Sequence, residues 1–180
     1  MAIKEYAMLR GDTTLDYIML ATTFALKNFP QSIEDLELGN KWVMQYVKLP
    51  VTDNFEYNLK QNKQTSLELI GSAKLIGTEN FIRLILMLPF NLAKQSINSL
   101  TKKITMTYTN MPCPQAGYDF GGYKCHSFTG FLPAIGDMLC GLSVVTHGEV
   151  IRFGLVTDKA YIDDPDLFIG LVERKFREFI

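Results

Sequence analysis

Apolar and polar positions alternate along this chain in two rhythms, one helical and one extended. Ile3, Tyr6, Ala7 and Leu9 fall at helical spacing and predict a short helix over 2–9. Gly11 stops it, since glycine takes a positive φ without steric cost. Residues 17–26 are rich in β-branched and aromatic side chains and predict a buried strand. Residues 28–40 are polar and turn-rich. Over 42–49, Trp42, Met44, Tyr46 and Lys48 face one way and Val43, Gln45, Val47 and Leu49 the other. Apolar residues on both sides predict a strand covered on both faces.

Asp53 or Asn54 then offers an N-cap to a long helix reaching about residue 75. Its first half is polar and its second half apolar. Thr78 is placed to cap a second helix over 79–88, with Phe81, Ile82, Leu84, Ile85 and Leu88 at core spacing. Pro89 kinks or ends it. A third helical piece covers about 91–99, followed by Lys102 and Lys103 at the negative end of its dipole. From Ile104 the rhythm becomes extended. Strands are predicted over 104–109 and 123–131, with Met111-Pro112-Cys113-Pro114 breaking the first. A hairpin of 141–146 and 150–157 turns about His147-Gly148. Asp163 or Asp164 caps a last helix with Pro165 at its first position. Leu167, Phe168, Leu171, Val172, Phe176 and Phe179 are its expected buried stripe. The order predicts an α/β fold, a mixed β-sheet with helices packed on it, in a single domain over 1–180. Strands and helices do not alternate strictly, which argues against a doubly wound parallel sheet.

Composition changes this picture little. The 180 residues are 47% hydrophobic and 21% charged, with a net charge of -1. That balance suits a globular core and gives no support to nucleic-acid binding. Cys113, Cys125 and Cys140 are odd in number and irregularly spaced. They read as buried free thiols in an intracellular, reducing compartment, not as a disulfide framework. No signal peptide is evident. The longest apolar stretch, 81–93, holds Arg83 and Pro89 and is too short for a bilayer, which needs about 20 residues. Peripheral lipid contact is left open.

Several short motifs, taken together, carry a resemblance. Leu38-Gly39-Asn40-Lys41-Trp42, followed by a strand, is similar to the element that opens the C-terminal domain of the wax ester synthase/diacylglycerol acyltransferase family. Thr109-Asn110-Met111-Pro112-Cys113-Pro114 resembles that family's Ser/Thr-Asn-Val-Pro-Gly-Pro loop. Phe153-Gly154-Leu155-Val156-Thr157-Asp158 resembles its last strand and the turn after it. The matches are collinear. The resemblance implies half of a chloramphenicol-acetyltransferase-like fold, in which two halves enclose a tunnel for acyl-CoA and acceptor. It makes Asn40, Trp42, Asn110, Pro112, Pro114 and His126 candidates for a tunnel or half-fold interface.

The same resemblance exposes an absence. The family's chemistry needs a His-His-x-x-x-Asp-Gly motif, whose base deprotonates the acceptor hydroxyl. This sequence has two histidines, His126 and His147, far apart and outside that pattern. On the predicted strand, Cys125 and His126 point to opposite faces and form no dyad. A lone histidine on a half-apolar strand is more often structural, and His147 reads as a solvated turn residue. No metal-ligand spacing occurs. Asp119-Phe120-Gly121 lacks the other kinase elements, and 117–122 lacks the spacing of a nucleotide loop. No catalytic residue, metal or cofactor is therefore assigned. The expected role is a non-catalytic interaction subunit with a protein partner: a larger complex, a complementary half or a homodimer. The alternative is half of an acyl-CoA:alcohol/diacylglycerol O-acyltransferase, completed in trans by a chain bearing the motif; only then does acyl-CoA enter.

Overall fold

A computed structural model describes residues 1–26, 32, 34–35, 39, 41–70, 72–113, 119–133 and 138–179. Helix α1 (Ala2–Leu9) precedes strands β1 (Tyr17–Ala25) and β2 (Trp42–Pro50). Helices α2 (Phe55–Leu69), α3 (Ala73–Leu86) and α4 (Phe90–Thr101) follow. Then come β3 (Met106–Pro112), the short β4 (Asp119–Phe120) and β5 (Tyr123–Lys124), β6 (Cys140–His147), β7 (Val150–Thr157) and α5 (Pro165–Arg177). The main sheet has five strands in the order β2-β1-β3-β6-β7. The outer pairs are antiparallel and the inner pairs parallel, so the fold is a mixed-sheet α/β fold.

Register divides the sheet into two faces. Ile18, Leu20, Met106, Cys140, Leu142 and Leu155 pack with Tyr6, Ile162, Phe168 and Leu171 beneath α1 and α5. On the other face Ala21, Ile104 and Met138 form a smaller cluster with Met44 and Tyr46. Over β6 and β7 that face is covered by the chain itself. The Ser143 hydroxyl donates to the Gly130 carbonyl and, at 3.2 Å, to that of Gly154. The glycines make this approach feasible: a Cβ on Gly154 would lie 2.1 Å from the Gly130 oxygen, and one on Gly141 2.8 Å from that of Leu132.

Several expectations need correction. The long helix after β2 is two helices, since Ile70 adopts an extended conformation and α3 begins after Ser72, not at Thr78. In α3 only Leu75 and Ile85 are buried; Phe81, Leu84 and Leu88 are exposed. Strand β2 buries one side, Val43, Gln45 and Val47, while Trp42 and Lys48 are exposed. Strand β3 runs on through Pro112 instead of breaking at Met111. Its pairing with β1 covers only Leu20–Thr22 against Met106–Tyr108, so its far half is an edge on that side, where proline costs no ladder bond. The strand predicted over 123–131 shrinks to Tyr123–Lys124. Gly121 and Gly122, both at positive φ, instead form the two-residue turn of the β4–β5 hairpin. In α5, Phe168 and Leu171 are buried, but Leu167, Phe176 and Phe179 are partly exposed. Cys140 is fully buried, and Cys113 and Cys125 are half-buried; all three are free thiols.

Candidate functional site

The helix α2 starts where Asn54 accepts a hydrogen bond from the Tyr57 amide at 3.0 Å. This cap fixes the azimuth of Phe55, Asn58, Leu59 and Asn62, which share one face at i, i+3, i+4 and i+7. Asn58 ties the helix to the end of β2. Its carbonyl accepts from the Thr52 amide at 3.2 Å and hydroxyl at 2.9 Å, and its amide donates to the Thr52 carbonyl at 2.8 Å. Helix α5 is set by Asp164, whose carboxylate accepts from the Leu167 amide at 2.9 Å. From that start Phe168 packs edge-on against Tyr6 and Phe176 against Phe153, with ring centroids 5.4 and 5.3 Å apart. Phe179, two residues beyond the end of α5, stacks on Phe55 of α2 with centroids 3.4 Å apart.

Beside this stack, helices α1, α2 and α5 and the sheet border an open cavity of about 520 Å³. Its floor is Ile18, Met106 and Leu142 of the sheet; Leu49, Pro50 and Val51 close one side and Ala2 and Ile3 another. The volume falls in the range of small-molecule sites, roughly 300–1,000 Å³, and the lining is mainly apolar as such sites require. Three polar side chains reach it. Asn58 is fully engaged. The Asn62 Oδ1 is buried and has no hydrogen-bond partner among the described residues. Lys175 stands at the rim, with Nζ 2.8 Å from Glu178 and 3.8 Å from Glu5. Among the lining side chains only Lys175 ionises, and no histidine, cysteine, serine or carboxylate is present. The cavity can hold an apolar molecule and offer one acceptor to it. The Met1 α-amino group also borders it, its pKa lowered chiefly by burial. Among the described residues the lining holds no histidine, the base that the acyl-transfer motif supplies.

The predicted interface residues lie elsewhere. Trp42 begins β2 opposite Ala25, and Asn110 and Pro112 lie near the far end of β3, all at one end of the sheet. The cavity is at the other end. All three are exposed, as is His126, which sits in irregular chain after β5 and not on a strand. His147 is buried as the last residue of β6, opposite Val150, and is not a solvated turn residue. Asn40 and Pro114 lie outside the described residues. None of the four described ones, Trp42, Asn110, Pro112 and His126, lines the cavity. Sequence reasoning missed the cavity residues. The signal that could have found them is the Asn58–Asn62 pair one turn apart on the helix face that also carries Phe55 and Leu59.

The sequence profile described as the WS/DGAT C-terminal domain matches residues 38–179. The chain belongs to this family. No curated protein and no solved structure matches it. In this WS/DGAT C-terminal domain, the matched region supplies the β2 wall, α2, the floor strands β3 and β6, and α5. Its Phe153–Asp158 segment is β7 and the turn beyond, where the Asp158 carboxylate accepts from the Ala160 amide at 2.8 Å. Among the described residues, no helix is long and apolar enough to cross a membrane, and no group of three or more His, Cys, Asp or Glu could hold a metal ion.

Proposed function

We propose that this WS/DGAT C-terminal domain is a non-catalytic subunit that holds an acyl chain and works against a second protein half. The observation that carries this reading is an apolar cavity with no histidine among its described lining residues, while His126 and His147 both stand outside it. An alkyl chain needs only apolar walls. Asn62 supplies an acceptor for a hydroxyl or amide on the occupant. The partner half is expected at the other end of the sheet, where Trp42 and Met111 are 46% and 40% exposed. The upper half of β3 adds an open edge beside them. The three free thiols support a reducing compartment.

The alternative is an acyltransferase completed in trans, in which the same cavity positions substrate for a base supplied by the partner. One experiment addresses both. The purified chain is incubated with radiolabelled acyl-CoA and a long-chain alcohol, and a fluorescent fatty acid reports cavity binding. The proposed role gives binding without ester formation, and Asn62→Leu or Phe179→Ala weakens binding. Ester formed only after adding a chain with the His-His-x-x-x-Asp-Gly motif selects the alternative. Turnover by the chain alone, abolished by His126→Ala or His147→Ala, overturns both.

A further inference from the structure

The main sheet ends in two edge strands, β2 and β7, and they are guarded differently. An edge strand presents a row of unpaired backbone groups, which proteins commonly blunt with lysine or proline. Strand β2 carries both, with Lys48 exposed and Pro50 at its end. Strand β7 carries neither. Its eight residues pair with β6 along their whole length, and among the described residues no strand pairs with its outer side. Val150, Ile151 and Arg152 are exposed there.

A groove of about 510 Å³ runs beside this edge, between β7 and the second half of α5. Ile151, Phe153 and Phe176 form its apolar wall, and Glu149, Glu173 and Arg177 stand around them. An open strand edge beside a groove for alternate side chains is the arrangement that accepts an added strand. It favours an extended polypeptide over a small molecule.

The sequence of β7 suits a second copy of itself. A two-fold axis perpendicular to the sheet would pair two β7 strands antiparallel, as an isologous contact. Opposed side chains in such a pair share a face, so the axis passes through a residue and not between two. An axis through Arg152 would oppose like charges. An axis through Phe153 or Gly154 avoids this. It sets Phe153 against Phe153 or Leu155 of the second copy, and Ile151 against Leu155 or Thr157. Each choice brings the apolar wall of one groove toward the other. The surrounding charges are of both signs, so the Arg177 of one copy can meet the acids of the other, whereas a rim of one sign would repel its own copy.

We infer that β7 is a self-association edge, at which two copies of this domain pair antiparallel, continue the sheet across the axis and bury Ile151 and Phe153 in a shared groove. The inference does not rest on the cavity holding an acyl chain, and it uses the lateral edge of the sheet, not the end bearing Trp42 and Met111. The test is sedimentation equilibrium of the full chain over a range of concentrations, with amide hydrogen exchange across residues 150–157. A reversible dimer is expected, with exchange at the outward-pointing amides of β7 slowing as concentration rises. Ile151→Lys guards the edge and is expected to weaken dimerisation about tenfold or more with an unchanged circular dichroism spectrum. Glu173→Arg is expected to weaken it as well, and Glu173→Arg with Arg177→Glu to restore it. A chain that stays monomeric at every concentration overturns the inference. So does a dimer that both Ile151→Lys and Glu173→Arg leave intact, or one lost instead on Trp42→Ala with Met111→Ala, which would put self-association at the end of the sheet.

Discussion

The Cys140 thiol begins β6 with no exposed surface, and burial pushes it from its ordinary 9.0 up to about 12. Below pH 9 it is protonated in folded and unfolded chains alike. Between pH 9 and 12 the unfolded chain releases the proton and the folded chain holds it, so stability falls as pH rises. Urea midpoints are expected to drop through this window, and less steeply in Cys140→Ala. Half-buried Tyr46 and Tyr108, also raised by partial burial, keep some slope in the variant. Gly154 carries a steric prediction. Its absent Cβ leaves room for the Gly130 carbonyl, so Gly154→Ala is expected to cost about 3 kcal/mol as an overpacking change. Calorimetry would register this as a fall in Tm of about 6–12 °C for a chain of this size. Neither effect was legible in the sequence: Cys140 read only as one of three buried thiols, and Gly154 only as part of a family motif. His147 shows the same limit, because its burial comes from where the hairpin turns.

At the scale of elements, α2 depends on two asparagines that do different work. Asn54→Ala removes the N-cap and is expected to lose about 1 kcal/mol. Asn58→Ala removes three bonds to Thr52 and strands buried backbone polar groups, which is expected to cost about 2–3 kcal/mol. Chemical denaturation of the two variants should rank them in that order; equal losses would mean the Thr52 clamp is not formed. Gly170, inside α5 with open space around it, gives the opposite sign. Gly170→Ala is expected to stabilise by about 0.5–1 kcal/mol through the restricted unfolded chain. Element existence and type followed closely from periodicity for α1, β1, β2, β7 and α5. The break at 70–72 did not, because the apolar rhythm continues across it; Ile70 leaves helical geometry without a proline to announce it. The predicted strand over 123–131 failed for the converse reason. Its residues are extended and apolar enough, but they pack across β6 and β7 instead of pairing with them.

At the scale of the whole molecule, the large apolar side chains Trp42, Met111, Phe120, Phe128 and Phe131 are exposed. They are the surface that the proposed partner would cover. Size-exclusion chromatography with light scattering is expected to find the native chain in a complex or dimer. A monodisperse monomer that stays soluble at high concentration would count against the proposed role.

The order of elements, the mixed sheet, the family and the absence of the acyl-transfer histidine motif could all be read along the chain, because periodicity, capping residues and short motifs are local properties. The cavity and the exposed side of α3 could not. Phe55, Asn62, Met106 and Phe179 become neighbours only when α5 returns across the sheet to meet α2. Phe81 and Leu84 share the spacing of core residues, and they are exposed because no described element packs over them. Spacing decides which side chains face the same way; tertiary packing decides what, if anything, they face.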